Sequence, residues 1–333
     1  MIFLIIVVLR QIQAISIIIW LKKKMDLKYP ILVLSDIHFG HPASCLEKAE
    51  QLRPLFKNVE TVVFNGDTTE LLWIKNRRRA AEQAQCIADI VLSENAKPIF
   101  LTGNHDPIAS SCSHLDLQNG ATLVTHGDIL FHEVAPWSKV ADVVGEAHDE
   151  ALSNLEEDAL VDFNKRLIAS KTASISLENL VMKIPVGKFA KLILFLREAW
   201  PPWNAIRVLK YWMQTPDRAL ALAQKYRPDA KFIIIGHTHR EGIWQRDGRV
   251  IINTGSFLPP SGRRAVLLEK SMVIVKKIDF EADFFVFGKT VARYKVDPVR
   301  DDQHLEPHVV TDDELTRTHV VTSNKSSQRV LPD

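Results

Sequence analysis

An α/β fold built around a mainly parallel sheet is predicted by three features of this sequence. Short apolar runs at 31–35, 61–64, 98–101, 122–125 and 231–235 suit strands buried on both faces. Segments with helical spacing fall between them, at 43–57 and 71–96. Polar clusters follow the runs: Ser35-Asp36-Ile37-His38, Asn65-Gly66-Asp67, Gly103-Asn104-His105-Asp106, His126-Gly127-Asp128 and Gly236-His237-Thr238-His239. In open α/β sheets the functional crevice lies beyond the carboxyl ends of the strands, so five such clusters are expected to meet there.

The C-terminal half adds β-rich stretches at 250–253, 265–269 and 272–278, which predict further antiparallel strands. Between the two strand-bearing parts, residues 134–226 are mainly helical in pattern and hold four of the seven tryptophans, Trp137, Trp200, Trp203 and Trp212. Phe189, Leu192, Ile193, Leu196 and Ala199 repeat at helical spacing, as do Trp203, Ile206, Leu209 and Met213. Pro201-Pro202 separates the two sets. A helical cap inserted into a catalytic domain of 25–133 and 227–296 is the expected organisation. Residues 297–333 are polar and aperiodic, the composition of a disordered tail.

Residues 1–24 read in two ways. Met1 to Leu21 is nearly all apolar and, as a helix, would span roughly 31 Å at ~1.5 Å per residue, about one hydrocarbon core. Lys22-Lys23-Lys24 behind it would keep the body on the cytoplasmic face of a membrane. The other reading starts translation at Met25, since Met25 to Pro30 leads straight into the first strand and Arg10 within the span would cost ~3 kcal/mol in lipid. A cytoplasmic protein, with or without membrane association, follows from either. Three cysteines without metal-type spacing agree with a reducing compartment.

Charge narrows the partners. The chain carries +2 overall, but the first 24 residues supply four positive charges and no acid, leaving 38 basic against 40 acidic residues, or −2, from Met25 onward. No basic surplus favours nucleic acid.

The chemistry follows from ligand type. Asp36 and His38, two apart, would share one side of an extended chain, and so would His237 and His239. With Asp67, Asn104 and His126 they make seven N/O donors without sulfur, which suits Mn²⁺, Fe or Zn²⁺ rather than a thiolate zinc site, with Mn²⁺ preferred here. Seven are too many for one ion and suit two divalent ions about 3.5–4 Å apart with a shared carboxylate. The glycines before Asp67, Asn104 and His237 permit tight turns at the ions.

The order Asp36-x-His38, Gly66-Asp67, Gly103-Asn104-His105-Asp106, His126-Gly127-Asp128, Gly236-His237-Thr238-His239 resembles the calcineurin-like metallophosphoesterase superfamily across about 31–278. The resemblance implies a four-layer α/β/β/α sandwich and a bridging hydroxide as nucleophile. It gives one metal Asp36, His38 and His239, the other Asn104, His126 and His237, with Asp67 between them. It also implies that His105 protonates the leaving oxygen or stabilises the transition state, oriented by Asp106. A narrower likeness is to the UDP-2,3-diacylglucosamine pyrophosphatase branch, carried by Gly66 to Trp73 with Arg77-Arg78-Arg79, the aromatic-rich insertion, and Asp247-Gly248 leading to Asn253-Thr254-Gly255. Thr68-Thr69 and Ser256 to Pro260 depart from that branch. The implied substrate is a phosphorylated small molecule, foremost a lipid-linked sugar nucleotide.

Arg77, Arg78 and Arg79 either bind substrate phosphates by bidentate contacts or form a solvated helix face. His41, just after the first ligand pair, is a candidate for touching substrate. Rival activities are a nucleotide phosphodiesterase and a phosphoprotein phosphatase. A non-catalytic scaffold is the rival outside the enzyme class, but such proteins usually lose the histidines that remain here.

Overall fold

Two sheets carry the fold in the computed structural model, which describes residues 27–72, 77–136, 141–155, 162–175 and 203–296. In the first sheet β1 (Ile31–Leu34), β2 (Thr61–Asn65) and β3 (Lys97–Leu101) run parallel. In the second, β4 (His114–Leu117) pairs antiparallel with β5 (Thr122–Thr125), and β6 (Phe232–Ile235) lies parallel to β5. Next come β7 (Gly242–Arg246) and β8 (Arg249–Asn253), a hairpin whose β8 joins β6 in parallel, giving the order β4-β5-β6-β8-β7. Then β9 (Arg264–Glu269), β10 (Met272–Glu281) and β11 (Phe284–Lys295) extend the first sheet antiparallel, in the order β11-β10-β9-β1-β2-β3.

Period-two alternation decides what each face meets. In β1, Ile31 and Val33 enter the core shared with the second sheet, where Val63, Val124, Phe232, Ile234 and Ile252 join them. Leu32 and Leu34 face outward onto Leu52, Phe56 and Ile87. In β6, Ile233 and Ile235 point to the opposite outer layer. Both faces of both sheets are therefore covered, and the expected α/β/β/α sandwich is present. Each such aliphatic side chain, fully buried, contributes roughly 1.5–3 kcal/mol.

The helices are α1 (Arg77–Ser93), α2 (Ala141–Ser153), α3 (Phe163–Ile175) and α4 (Trp203–Tyr226). Phe163 and Leu167 of α3 and Ala219, Leu222 and Ala223 of α4 pack on Leu123, Ile233, Ile235 and Ile251. Part of the stretch expected as a cap, 134–226, thus forms the outer layer of the second sheet. Ile206, Leu209 and Met213 of α4 lie on one exposed stripe.

Several expectations change. The helix expected at 43–57 is a 3-10 segment over Ala49–Phe56, with Pro54 inside it unable to donate a backbone hydrogen bond. The helical pattern at 71–96 becomes α1, which starts at Arg77; residues 73–76 lie outside the described residues. Strands β4, β7 and β11 were not anticipated. The β7–β8 turn is Asp247-Gly248, both at positive φ (+48° and +71°), as a tight hairpin requires. The apolar segment 1–24, the helix expected at 189–199 and the tail at 297–333 also fall outside the described residues. Among the described residues no helix is long and apolar enough to cross a membrane.

Candidate metal centre

The five polar clusters meet beyond the strand ends, though not by extended geometry. Asp36 (φ +51°), His38 (+50°), Asp67 (+51°), His237 (+65°) and His239 (+57°) all adopt left-handed backbone. The expectation that the paired ligands share a side of extended chain is therefore corrected: kinked turns after β1 and β6 aim them. Such conformations cost of order 1–3 kcal/mol each and persist only where the surroundings enforce them. Here the enforcement is visible. Both oxygens of Asp36 accept from the His237 amide (3.0 and 3.1 Å), and the His38 amide donates to Asp67 O (2.9 Å). A Cβ at Gly103 would fall on the Asp67 and Asp106 carboxylates, and one at Gly236 on Asp36 and Ser35, so only glycine allows these loops to close.

The donors form two groups that share one oxygen. Asp67 Oδ2 lies 3.7 Å from His38 Nε2 and 3.3 Å from His126 Nε2. On the first side, His239 Nε2 is 3.1 Å from His38 Nε2 and 3.3 Å from Asp36 Oδ1. On the second, Asn104 Oδ1 is 3.2 Å from His126 Nε2 and 2.8 Å from His237 Nδ1. Asp36, His38, Asp67, His126 and His237 are essentially fully buried. Asp36, His38, Asp67 and His239 present donors within 4.8 Å of one another, as do Asp67, His126 and His237.

The outer ring nitrogens fix which lone pairs face inward. His38 Nδ1 donates to Glu70 Oε1 (2.8 Å), His126 Nδ1 to Asn65 O (2.9 Å) and His237 Nε2 to Val134 O (2.7 Å). Anchors of this kind orient metal-ligating imidazoles. Burial, with His126 nearby, pushes His237 down to about 4, so its ring is neutral with one proton, spent on Val134. Its Nδ1 lone pair then faces the Asn104 oxygen at 2.8 Å, acceptor against acceptor. A cation between them resolves that conflict. Donor spacings near 3 Å are also those of neighbouring ligands on an ion with bonds of roughly 2.0–2.2 Å. The residues fit divalent metal.

His105 stands beside the cluster rather than in it. Its ring centroid is 4.8 Å from that of His38 and 34% of its side chain is open. Asp106 does not orient that ring, contrary to expectation. Its Oδ1 accepts from the amides of Asp67 (2.9 Å) and Gly103 (2.8 Å), and its Oδ2 from Thr68 (2.7 Å), so it laces two ligand loops together. Glu70 holds the ring instead, accepting from His105 Nδ1 at 2.8 Å while its other oxygen accepts from His38. Burial alone would lower the His105 pKa, but the Glu70 and Asp67 carboxylates outweigh it and raise it to about 10. The same histidines hold Glu70 well below the usual carboxylate range against its burial. Glu70 was not singled out from sequence, although its place three residues after Asp67 is the available signal.

His41 stands at the rim, 6.1 Å from the His38 ring, with Nδ1 accepting from the Ala43 amide (3.1 Å) and burial pushing its pKa down to about 4. Of the arginines, Arg77 Nε donates to Leu71 O (3.1 Å), Arg78 pairs with Glu82 (2.9 Å) on the solvent side of α1, and Arg79 is exposed. The pairing of Arg78 is that of a solvated helix face.

A buried ion pair braces the second ligand group. Lys171 Nζ, reaching in from α3, donates to Asp128 Oδ2 (2.7 Å) and to Thr102 O (3.0 Å). Thr102 precedes Gly103-Asn104, and Asp128 follows His126-Gly127, so one ammonium ties both loops. Removing one partner of a buried pair strands the other charge. Lys171→Met is expected to cost about 3–5 kcal/mol, readable as a lowered denaturation midpoint. A shift under about 1 kcal/mol, the scale of a surface pair, would show that the pair is not structural.

The sandwich and this histidine–carboxylate cluster together define a class, hydrolases that work through divalent metal held at strand ends. The chain belongs to the calcineurin-like phosphoesterase family, whose model matches residues 29–241, and it is a metal-dependent phosphoesterase. Among solved structures it is similar to a conserved protein of Streptococcus pneumoniae TIGR4 described as a predicted phosphoesterase, at 15% identity over 80% of this chain and 97% of that one, with TM-score 0.34. It is also similar to Vps29 of Chaetomium thermophilum (12% identity, 83% and 99%, TM-score 0.39). A third likeness is to a cold-active protein-tyrosine phosphatase of a psychrophilic Shewanella (14% identity, 75% and 78%, TM-score 0.29). Comparison with curated proteins gives no match.

Proposed function

We propose that this chain hydrolyses phosphodiester or pyrophosphate bonds at a centre holding two divalent cations, Mn²⁺ foremost. The observation that carries the reading is the single oxygen, Asp67 Oδ2, set between His38 and His126 with a donor group on either side. Asp36, His38 and His239 would hold one ion and Asn104, His126 and His237 the other, with Asp67 shared. Ions bound there lower the pKa of water and offset charge on phosphoryl oxygens. The chain's own contribution is to fix the donors, through Glu70, Asn65 and Val134, and to place a protonated imidazole at the open edge. Glu70, accepting from His105 Nδ1 at 2.8 Å, favours the protonated ring, which is suited to give a proton to a departing oxygen.

Within that class the leading substrate is an acylated sugar nucleotide like UDP-2,3-diacylglucosamine. Its support is the sequence likeness around Gly66 to Trp73, together with the exposed apolar stripe of Ile206, Leu209 and Met213 on α4, a surface suited to acyl chains. The test is parallel incubation of Mn²⁺-loaded protein with UDP-2,3-diacylglucosamine, bis-p-nitrophenyl phosphate and p-nitrophenyl phosphate. UMP release from the first and faster turnover of the diester than the monoester are expected. Preference for the monoester would overturn the substrate class.

A further inference from the structure

Arg240 follows His239 directly and lies between two indoles. Its guanidinium carbon is 5.8 Å from the ring of Trp212 on α4 and 5.8 Å from that of Trp244 on β7. Trp212 is itself tied to the loop that bears His237 and His239, its Nε1 donating to Thr238 O at 2.7 Å. Two aromatic faces orient a guanidinium plane and leave its edges to donate.

Those edges meet no acceptor among the described residues. Nearby arginines of the second sheet and its helices differ in this. Arg218 donates to Leu130 O, Arg227 to Asp116, Arg246 to Asp217 and Arg249 to Pro228 O. The adjacent carboxylate, Glu241, is taken by Arg264 at 2.9 Å. A half-buried cation with five donors, set against two indole faces and without an acceptor among the described residues, is a fork ready for a planar or tetrahedral oxyanion. Through Trp212, whose Nε1 holds Thr238 O between the ligands His237 and His239, the guanidinium stands beside the ligand loop.

We propose that Arg240, caged by Trp212 and Trp244, binds a second anionic group of the substrate, one linkage beyond the phosphoryl group at the metal centre. This rests on the reading of that centre given above and narrows its substrates to molecules carrying two linked anions. The cage sets the angle of the fork, so lysine in its place keeps the charge and loses the bidentate geometry.

The experiment is calorimetric titration at fixed free Mn²⁺ with orthophosphate, imidodiphosphate and phosphonoacetate. It compares the unaltered chain with Arg240→Met and Arg240→Lys. Arg240→Met is expected to weaken imidodiphosphate by about tenfold or more and orthophosphate by less than about twofold, with Arg240→Lys between. If phosphonoacetate weakens in parallel, the fork accepts any second anion; if it does not, the second group is a phosphate. Equal weakening of all three ligands, or of none, would overturn the proposal. An unaltered chain that cleaves no phosphoester yet shows the selective loss would end the proposed function and leave the anion site standing. An active chain whose imidodiphosphate affinity ignores Arg240 would end the anion site alone.

Discussion

Asp67→Ala is expected to yield folded protein that has lost both metal content and phosphoesterase activity. The two donor groups meet only at Asp67, whose Oδ2 lies 3.3 Å from His126 Nε2 and 3.7 Å from His38 Nε2. Its other oxygen accepts the His105 amide at 2.8 Å and so holds the loop that carries Asn104. Without it, Asp36 is the one carboxylate left among the proposed ligands, set against two dications in a buried site, and neutral imidazoles do not supply the missing charge. Metal analysis after exhaustive dialysis, with circular dichroism to confirm folding, makes the measurement. A folded variant that keeps both ions would refute the shared role.

His105→Ala should separate chemistry from binding. Metal content stays at the level of the unaltered chain, because His105 supplies no donor to either group, while turnover falls by ~10²–10⁴. Unchanged turnover would remove its role. Glu70 gives the same idea a second readout. The His105 pKa is lowered by burial and raised, on balance to about 10, by the Glu70 and Asp67 carboxylates. A group raised in this way holds its proton through neutral pH and loses it as pH climbs through the shifted value. Activity that uses the proton therefore declines on the alkaline side. Glu70→Gln removes the largest raising partner and should bring that alkaline limb to lower pH. A limb that stays in place would detach Glu70 from His105.

How far the centre was legible depends on distance along the chain. Asp36, His38, Asp67, Asn104, His126, His237 and His239 were legible because each sits where a buried strand ends, among glycines and polar residues that no core would explain. The buried parallel strands were legible because runs such as Phe232–Ile235 are apolar on both faces and demand cover on both, while the four-layer sandwich came from the family resemblance. What escaped was set by contacts between remote segments. Asn65 O and Val134 O anchor His126 and His237 through backbone carbonyls, which leave no mark on residue type. Lys171 looks in sequence like any helical lysine, and only the packing of α3 buries it against Asp128. The family resemblance puts Asp106 on the His105 ring, yet four backbone amides claim its oxygens. The 3-10 segment replaced a helix because Pro54 sits within it. Strand β7 was hidden by its polar, half-exposed edge.

The central claim is that two cations share the Asp67 oxygen. Electron paramagnetic resonance of the intact chain, titrated with Mn²⁺ beside elemental analysis, addresses it directly. Two ions per chain with magnetically coupled spins are the expected result. One ion per chain, or two that titrate as independent centres, would contradict it.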